Sequence, residues 1–231
     1  MEMQKIIIKL RQLGRPDAAA GMAKYGITPD KVFGVSLPNL RALAKEIGQD
    51  PVFAKDLWRA NYRETMILSG LVDDPQWVTE EQMEQMVLDF YDWEVCDQTV
   101  MNLFQKTNFA WENAKQWCQR EEEFVRRAGF VLMARLAVSE KKAPDEKFEQ
   151  YFPFIQKFAH DDRTPVKKAV SWALRQIGKR NIRLNEKAIE IGKRIKEMDC
   201  KSARWIASDV LRELQSEAVQ QRLRAKSSVR K

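Results

Sequence analysis

The stretch that decides the fold is VKKAVSWALR, residues 166–175, because the same chain has two related stretches that begin at Val125 and Ala203. Val166 follows Val125 by 41 residues, and Ala203 follows Val166 by 37. Each stretch continues with apolar residues three and four positions apart, which is the period of one helix face. A helical unit therefore recurs in this sequence about every 40 residues.

The same helical period runs through the rest of the chain. Apolar residues recur at Leu40, Leu43 and Ala44, and no strand-like alternation persists. Pro38 and Pro165 are expected in the first turns of helices, where a missing N–H costs no hydrogen bond. Segment 62–66, with the sequence YRETM, is interpreted as the start of an earlier copy of the repeat.

Two-helix repeats of about 40 residues are typical of HEAT and armadillo proteins. The sequence therefore predicts an all-α fold, a curved solenoid of HEAT-like or armadillo-type repeats whose second helices line a basic concave groove. We expect a single repeat domain over residues 1–221. Residues 222–231 carry five cations and no acid, and are expected to be a basic tail, either a phosphate-binding arm or a solvated end.

The chain is basic, with 40 Lys and Arg against 33 Asp and Glu and a net charge of +7. This excess favours an anionic partner, nucleic acid first, although a soluble basic surface would have the same composition. The repeated stretches carry cations near their starts: Arg126 and Arg127, then Lys167 and Lys168, then Arg204. A helix start disfavours cations, so these positions suggest a purpose beyond chance solvation.

The sequence argues against a secreted protein, a membrane-spanning protein and a metal-binding protein. The apolar run near Met1 is too short for a signal peptide, and no segment approaches the ~20 apolar residues of a membrane span. Cys96, Cys118 and Cys200 are odd in number and widely spaced, and His160 is the only histidine. We expect a cytoplasmic, reduced protein with no metal, no cofactor and no membrane partner.

Trp93 and Asp97 form the most distinctive local pattern. Four residues apart on a helix, they share one face, and an aromatic ring beside a carboxylate attracts a positive charge. On a basic chain this pair indicates a site that meets a polyanion yet acts on something cationic; the alternative is a core aromatic beside a surface acid. Trp172 has Lys168 and Arg175 on its own helix face. The tryptophans interpreted as packing or surface residues are Trp58, Trp77, Trp111 and Trp117.

Four patterns, taken in order, resemble the AlkD-type alkylpurine DNA glycosylases, which are HEAT-like proteins. They are residues 22–25 with 33–38, the Trp93 and Asp97 pair, Arg126-Arg127-Ala128, and residues 168–175. The resemblance covers about Met22 to Arg212, nearly the whole chain, and is specific to the family because the four occur in the right order with compatible spacing.

This resemblance implies a function. The family removes cationic N3- or N7-alkylated purines from DNA without drawing the base into a pocket. By resemblance, Asp97 lies beside the deoxyribose of the lesion, Trp93 and Trp172 flank the nucleotide, and Arg127 positions the phosphate backbone. The implied partner is double-stranded, alkylated DNA, bound by a monomer. The other DNA-contacting residues expected are Tyr25, Arg126, Lys167, Lys168, Arg175 and Arg204.

Two other functions remain open from the sequence. A HEAT-like protein can recognise the shape of DNA without catalysis, and many helical repeat arrays are scaffolds that bind proteins. Base excision that depends on Asp97 would distinguish a glycosylase from a protein that only recognises the shape of DNA. Salt-sensitive DNA binding distinguishes both from a protein scaffold.

Overall fold

The computed structural model describes residues 2–24, 26–27 and 31–228, without the side chains of residues 227 and 228. Within these residues the regular secondary structure is helical, with short 3-10 helices at Phe104–Lys106 and Phe158–His160. The α-helices are α1 (Met3–Leu13), α2 (Pro16–Ala23), α3 (Leu37–Ile47), α4 (Pro51–Arg59), α5 (Arg63–Val72), α6 (Glu80–Leu88), α7 (Trp93–Asn102), α8 (Ala110–Trp117), α9 (Glu123–Ser139), α10 (Glu146–Glu149), α11 (Phe152–Lys157), α12 (Thr164–Gly178), α13 (Ile182–Lys196), α14 (Lys201–Leu214) and α15 (Glu217–Ser228).

The all-α prediction is confirmed, and the two helix starts predicted from Pro38 and Pro165 are found. Ser36 caps α3 by accepting a hydrogen bond from the Asn39 amide, and Pro38 lies in the first turn of that helix. Pro165 lies in the first turn of α12. Leu40 and Leu43 are buried, as their spacing predicted. The first-turn prolines, with the Ser36 cap in α3, therefore mark the starts of these two helices.

The helices fall into two compact units, residues 1–109 and residues 110–231. In the first unit, α1, α3, α4 and α5 enclose a core that includes Ile6, Leu10, Leu57 and Leu68. Helix α5 also packs against α7, which carries Trp93 and Asp97. The first unit therefore positions the predicted catalytic segment.

In the second unit, α8 packs on α9, α11 on α12, and α13 on α14, which makes three helix pairs. Helices α9 and α12 run parallel, since one hydrogen bond joins their starts and another joins their ends. Arg127 near the start of α9 donates to the Pro165 carbonyl, and Arg180, just after α12, donates to the Ala137 carbonyl at 2.7 Å near the end of α9.

Helices α12 and α14 are also parallel and in register. The Ser171 hydroxyl donates to Asp209 at 2.7 Å, and one turn later Arg175 pairs with Glu213. The second helices of the three pairs, α9, α12 and α14, therefore point the same way. These are the stretches that the repeat in the sequence picked out.

The basic tail begins inside a helix. Residues 222–228 belong to α15, and Leu223 in that helix is buried. The single domain over residues 1–221 and the phosphate-binding role of the tail stay predictions. In the described part of the chain, no helix is both long and apolar enough to span a membrane.

Candidate nucleic-acid interface

The segment with Trp93 and Asp97 forms the start of α7. Asp92 caps this helix: its Oδ1 accepts hydrogen bonds from the amides of Glu94 at 2.8 Å and Val95 at 2.9 Å. Trp93 is partly exposed, whereas Asp97, one turn further along, is 8% exposed. The predicted pair therefore lies on one helix, with Trp93 more exposed than Asp97.

The neighbours of this pair have structural roles. Burial raises the pKa of the Asp92 carboxyl even though two amides donate to it. Cys96 is fully buried and faces the core. Asp92 and Cys96 therefore shape the helix that carries Asp97, and neither belongs to the exposed side of the segment.

A buried ion cluster fixes α7 to α5. Arg63, at the start of α5, donates two hydrogen bonds of 2.8 Å to Glu94 in the first turn of α7. It also donates to Glu64 at 2.9 Å and to the Val35 carbonyl at 3.1 Å. Burial alone would lower the pKa of Arg63, but Glu94 and Glu64 hold it above its usual value. The guanidinium is therefore a permanent charge that sets the position of α7.

Glu64 extends this cluster to the loop before α3. Its carboxylate accepts hydrogen bonds from the amides of Phe33, Gly34 and Val35 at 3.0, 2.9 and 3.1 Å. Gly34 has a φ of +79°, which glycine adopts without strain. The loop at residues 33–35 and the Trp93 segment, two of the patterns that carried the family resemblance, are thus joined through one buried cluster.

The second unit contains a cleft of about 410 Å³ between α9, α12 and α14. Of the residues predicted to contact DNA, Arg127, Lys168, Trp172 and Arg175 line it. Gln176 and Trp205 complete the lining. Within the described residues this lining has three cations and no acid, as an anion-binding surface requires.

The cations of the cleft are held in different ways. Arg127 is 5% exposed and donates to the Pro165 carbonyl, so its guanidinium is fixed at the junction of α9 and α12. Arg175 pairs with Glu213 and lies 3.2 Å from Asp209. Lys168 is exposed. Lys168 is therefore the lining cation best placed to reach a phosphate.

Arg126 has a structural role that the sequence did not indicate. Its Nη1 donates to Asp161 at 2.7 Å, the side chain is 6% exposed, and its guanidinium lies 4.5 Å from the Phe158 ring centre. Burial alone would raise the pKa of Asp161, but Arg163 and Arg126 hold it below its usual value. The Arg126 guanidinium is therefore held by protein groups, and its contact with DNA stays a prediction.

Lys167 and Arg204, which are also predicted to contact DNA, are not among the residues that line the cleft. Lys167 Nζ lies over the Trp205 ring, 5.2 Å from its centre. Arg204 is exposed and pairs with Asp199 at 3.0 Å. Tyr25 lies outside the described residues. Trp93 and Asp97 belong to the first unit, Arg127 and Trp172 to the second, and the predicted meeting of these residues in one groove stays a prediction.

Sequence reasoning missed Trp205 and Gln176 in the cleft. Gln176 follows Trp172 by four residues on α12, so the spacing that selected Lys168 and Arg175 also places it on that face. Trp205 comes from α14, and its place beside Trp172 follows only from the parallel register of α12 and α14.

The sequence family described as "DNA alkylation repair enzyme" matches residues 6–213. The chain belongs to this family. The match agrees with the resemblance that four patterns suggested, and it covers both units. Trp93 with Asp97 and the cleft around Trp172 therefore lie within a DNA alkylation repair sequence. No curated protein matches the chain.

A solved structure of another protein agrees with the fold. One is described as "a new family of proteins related to the HEAT-like repeat DNA glycosylases with affinity for branched DNA structures". It is 19% identical, covers 96% of each chain and has a TM-score of 0.79, which shows a HEAT-like fold. A designed armadillo repeat protein in complex with a (KR)4 peptide is 15% identical and covers 83% of this chain and 81% of that one. Its TM-score is 0.40.

Proposed function

We propose that this member of the DNA alkylation repair family is a DNA glycosylase that releases cationic N3- or N7-alkylated purines from duplex DNA, without flipping the base into a pocket. The observation that carries the proposal is the pair at the start of α7. Trp93 and Asp97 lie one turn apart on a helix held by the Asp92 cap and the Arg63 cluster. The cleft with Arg127, Lys168 and Trp172 supplies the cations for the backbone.

The chemistry follows from the charge on the substrate. The N-glycosidic bond breaks and its electron pair goes to the alkylated purine, which becomes neutral as it leaves. Positive charge develops on the deoxyribose, as in glycoside hydrolysis. Asp97 stabilises that charge and orients a water molecule, which adds to the sugar and loses a proton. The indoles of Trp93 and Trp172 add cation–π attraction of about 0.5–2 kcal/mol each.

We expect Asp97→Asn to lower the rate of 7-methylguanine release by about 100-fold, because the amide keeps the shape of the carboxylate but removes its charge. The measurement is single-turnover base release from methylated duplex DNA, with DNA affinity measured alongside. The control is Asp56→Asn, which changes an exposed carboxylate on α4 that pairs with Arg59. Equal rates for wild type and Asp97→Asn would remove Asp97 from the mechanism.

DNA affinity should fall with salt, because lysines and arginines displace counterions from phosphates. Lys168→Ala is expected to reduce the slope of log affinity against log salt by about 0.9, the value for one phosphate contact. Lys193→Ala is the matched control, since Lys193 is an exposed lysine on α13 that does not line the cleft. An unchanged slope for Lys168→Ala would place that lysine outside the interface. No slope for the wild-type protein would favour a protein-binding scaffold.

The second candidate function is recognition of DNA structure without excision. Two observations favour it: Asp97 is only 8% exposed, and the HEAT-like relative is described as having affinity for branched DNA. Tight, salt-dependent DNA binding by a wild-type protein that releases no alkylated base would support this second function and refute the proposed glycosylase activity.

A further inference from the structure

Trp205 is a large aromatic residue that the proposed chemistry does not use. It lies in the first turns of α14, is 41% exposed and lines the same cleft as Trp172. A tryptophan is usually placed with most of its surface out of water, so a 41% exposed indole in a cleft has apolar surface that a ligand can cover.

The side chains around Trp205 are cationic. Lys167 Nζ lies 5.2 Å from the centre of its ring, and Lys168 and Arg127 line the cleft beside it. The nearby acids are already engaged with protein groups. Asp209 accepts from Ser171 and Arg212, and Glu213 accepts from Arg175 and Lys179.

Burial alone would raise the pKa of Glu213, but the hydrogen bonds and charges of Lys179 and Arg175 hold it below its usual value. Glu213 is therefore an anion at neutral pH, and its charge is neutralised by those two cations. The cleft keeps exposed positive charge at Lys168, together with two indoles. Cations that track phosphates beside aromatic rings are the components of a surface for unpaired nucleotides.

We propose that Trp205 stacks on an unpaired base, so that the cleft of the second unit selects DNA with an unstacked nucleotide over continuous duplex. This inference rests on the proposed DNA binding but requires no excision. In a continuous duplex each base is stacked on both sides and presents only its edges to the grooves. An indole can reach the face of a base only where stacking is interrupted, as at a bulge or a gap.

Trp172 and Trp205 have different tasks in this arrangement. Trp172 belongs to the proposed excision machinery with Asp97, whereas Trp205 stacks on whichever base is unpaired and has no part in bond cleavage. Stacking is tolerant of sequence because every base has a π-face. The preference is therefore expected for an undamaged bulge and for each of the four bases.

The test uses the full chain and two duplexes of equal length. One carries a single bulged 2-aminopurine, and the other carries 2-aminopurine paired with thymine. The wild-type protein is expected to bind the bulged duplex about tenfold more tightly and to quench its 2-aminopurine on binding. Trp205→Ala should abolish both the preference and the quenching while leaving affinity for the continuous duplex within about twofold. Trp205→Phe should restore most of the preference.

Trp77→Ala is the matched control, because Trp77 is 75% exposed and belongs to the first unit. Equal affinity of the wild type for the two duplexes would overturn the inference. So would the same loss from Trp77→Ala, or an equal loss for both duplexes from Trp205→Ala. Base release from methylated DNA is measured separately: excision without a bulge preference refutes the Trp205 site alone, and a bulge preference without excision refutes the glycosylase alone.

Discussion

Replacing Arg63 with alanine is expected to lower the free energy of unfolding by about 3–5 kcal/mol, the cost of leaving a buried charge without its partner. The Arg63 side chain is 2% exposed and those of Glu64 and Glu94 are 0% and 11% exposed. The substitution leaves two carboxylates in a poorly solvated region with no cation beside them. It also removes the hydrogen bonds that join α5 to the first turn of α7. The measurement is urea denaturation of the full chain, with unfolding monitored by circular dichroism.

Arg59→Ala is the matched control for this prediction. Arg59 ends α4 and pairs with Asp56, but the two side chains are 75% and 53% exposed, so we expect almost no change in stability. The double variant Arg63→Met with Glu94→Leu should lose less than Arg63→Ala, because it removes a carboxylate together with its cation. The same small effect from Arg63→Ala and Arg59→Ala would mean that the buried cluster does not hold α7.

The repeat and its helices were predictable because their signals are local. The 41- and 37-residue offsets located α9, α12 and α14, and Pro38 and Pro165 located two helix starts. What the same signals could not show was the direction in which each cation points. A basic residue near a helix start has the same appearance in sequence whether it faces DNA or the next repeat.

Two arginines illustrate this limit. Arg63 begins α5 and Arg126 lies in the first turn of α9, and each is buried against an acid that follows it in the chain. Their partners are Glu94, 31 residues on, and Asp161, 35 residues on. The unfavourable position of a cation at a helix start is thus offset by a carboxylate from a later segment of the chain. At these two positions the basic residue joins one helical segment to a later one, whereas Lys168 stays exposed in the cleft.

Trp205 illustrates a second limit. It is one of seven tryptophans, and nothing in its spacing separates it from a core residue. Its neighbours in the cleft come from α9 and α12, up to 78 residues earlier at Arg127. Only the parallel register of the three second helices brings these side chains together. The composition of a site built across repeats therefore depends on tertiary packing that a local pattern does not contain.

Gly129→Ala is expected to destabilise the protein by about 3 kcal/mol, although alanine is a better helix former than glycine. The reason is the close packing of α9 against Cys118. An added Cβ at Gly129 would lie 2.8 Å from Cys118 Cα, and also against the Cys118 amide nitrogen, and backbone atoms cannot rotate away as a side chain can. Helix α9 would have to move outward, and Arg127, two residues earlier, would move with it. At Gly21 in α2 an added Cβ would meet open space, so Gly21→Ala should stabilise by about 0.5–1 kcal/mol. Urea denaturation of both variants checks the opposite signs; a stabilised Gly129→Ala protein would show that α9 does not depend on this close approach.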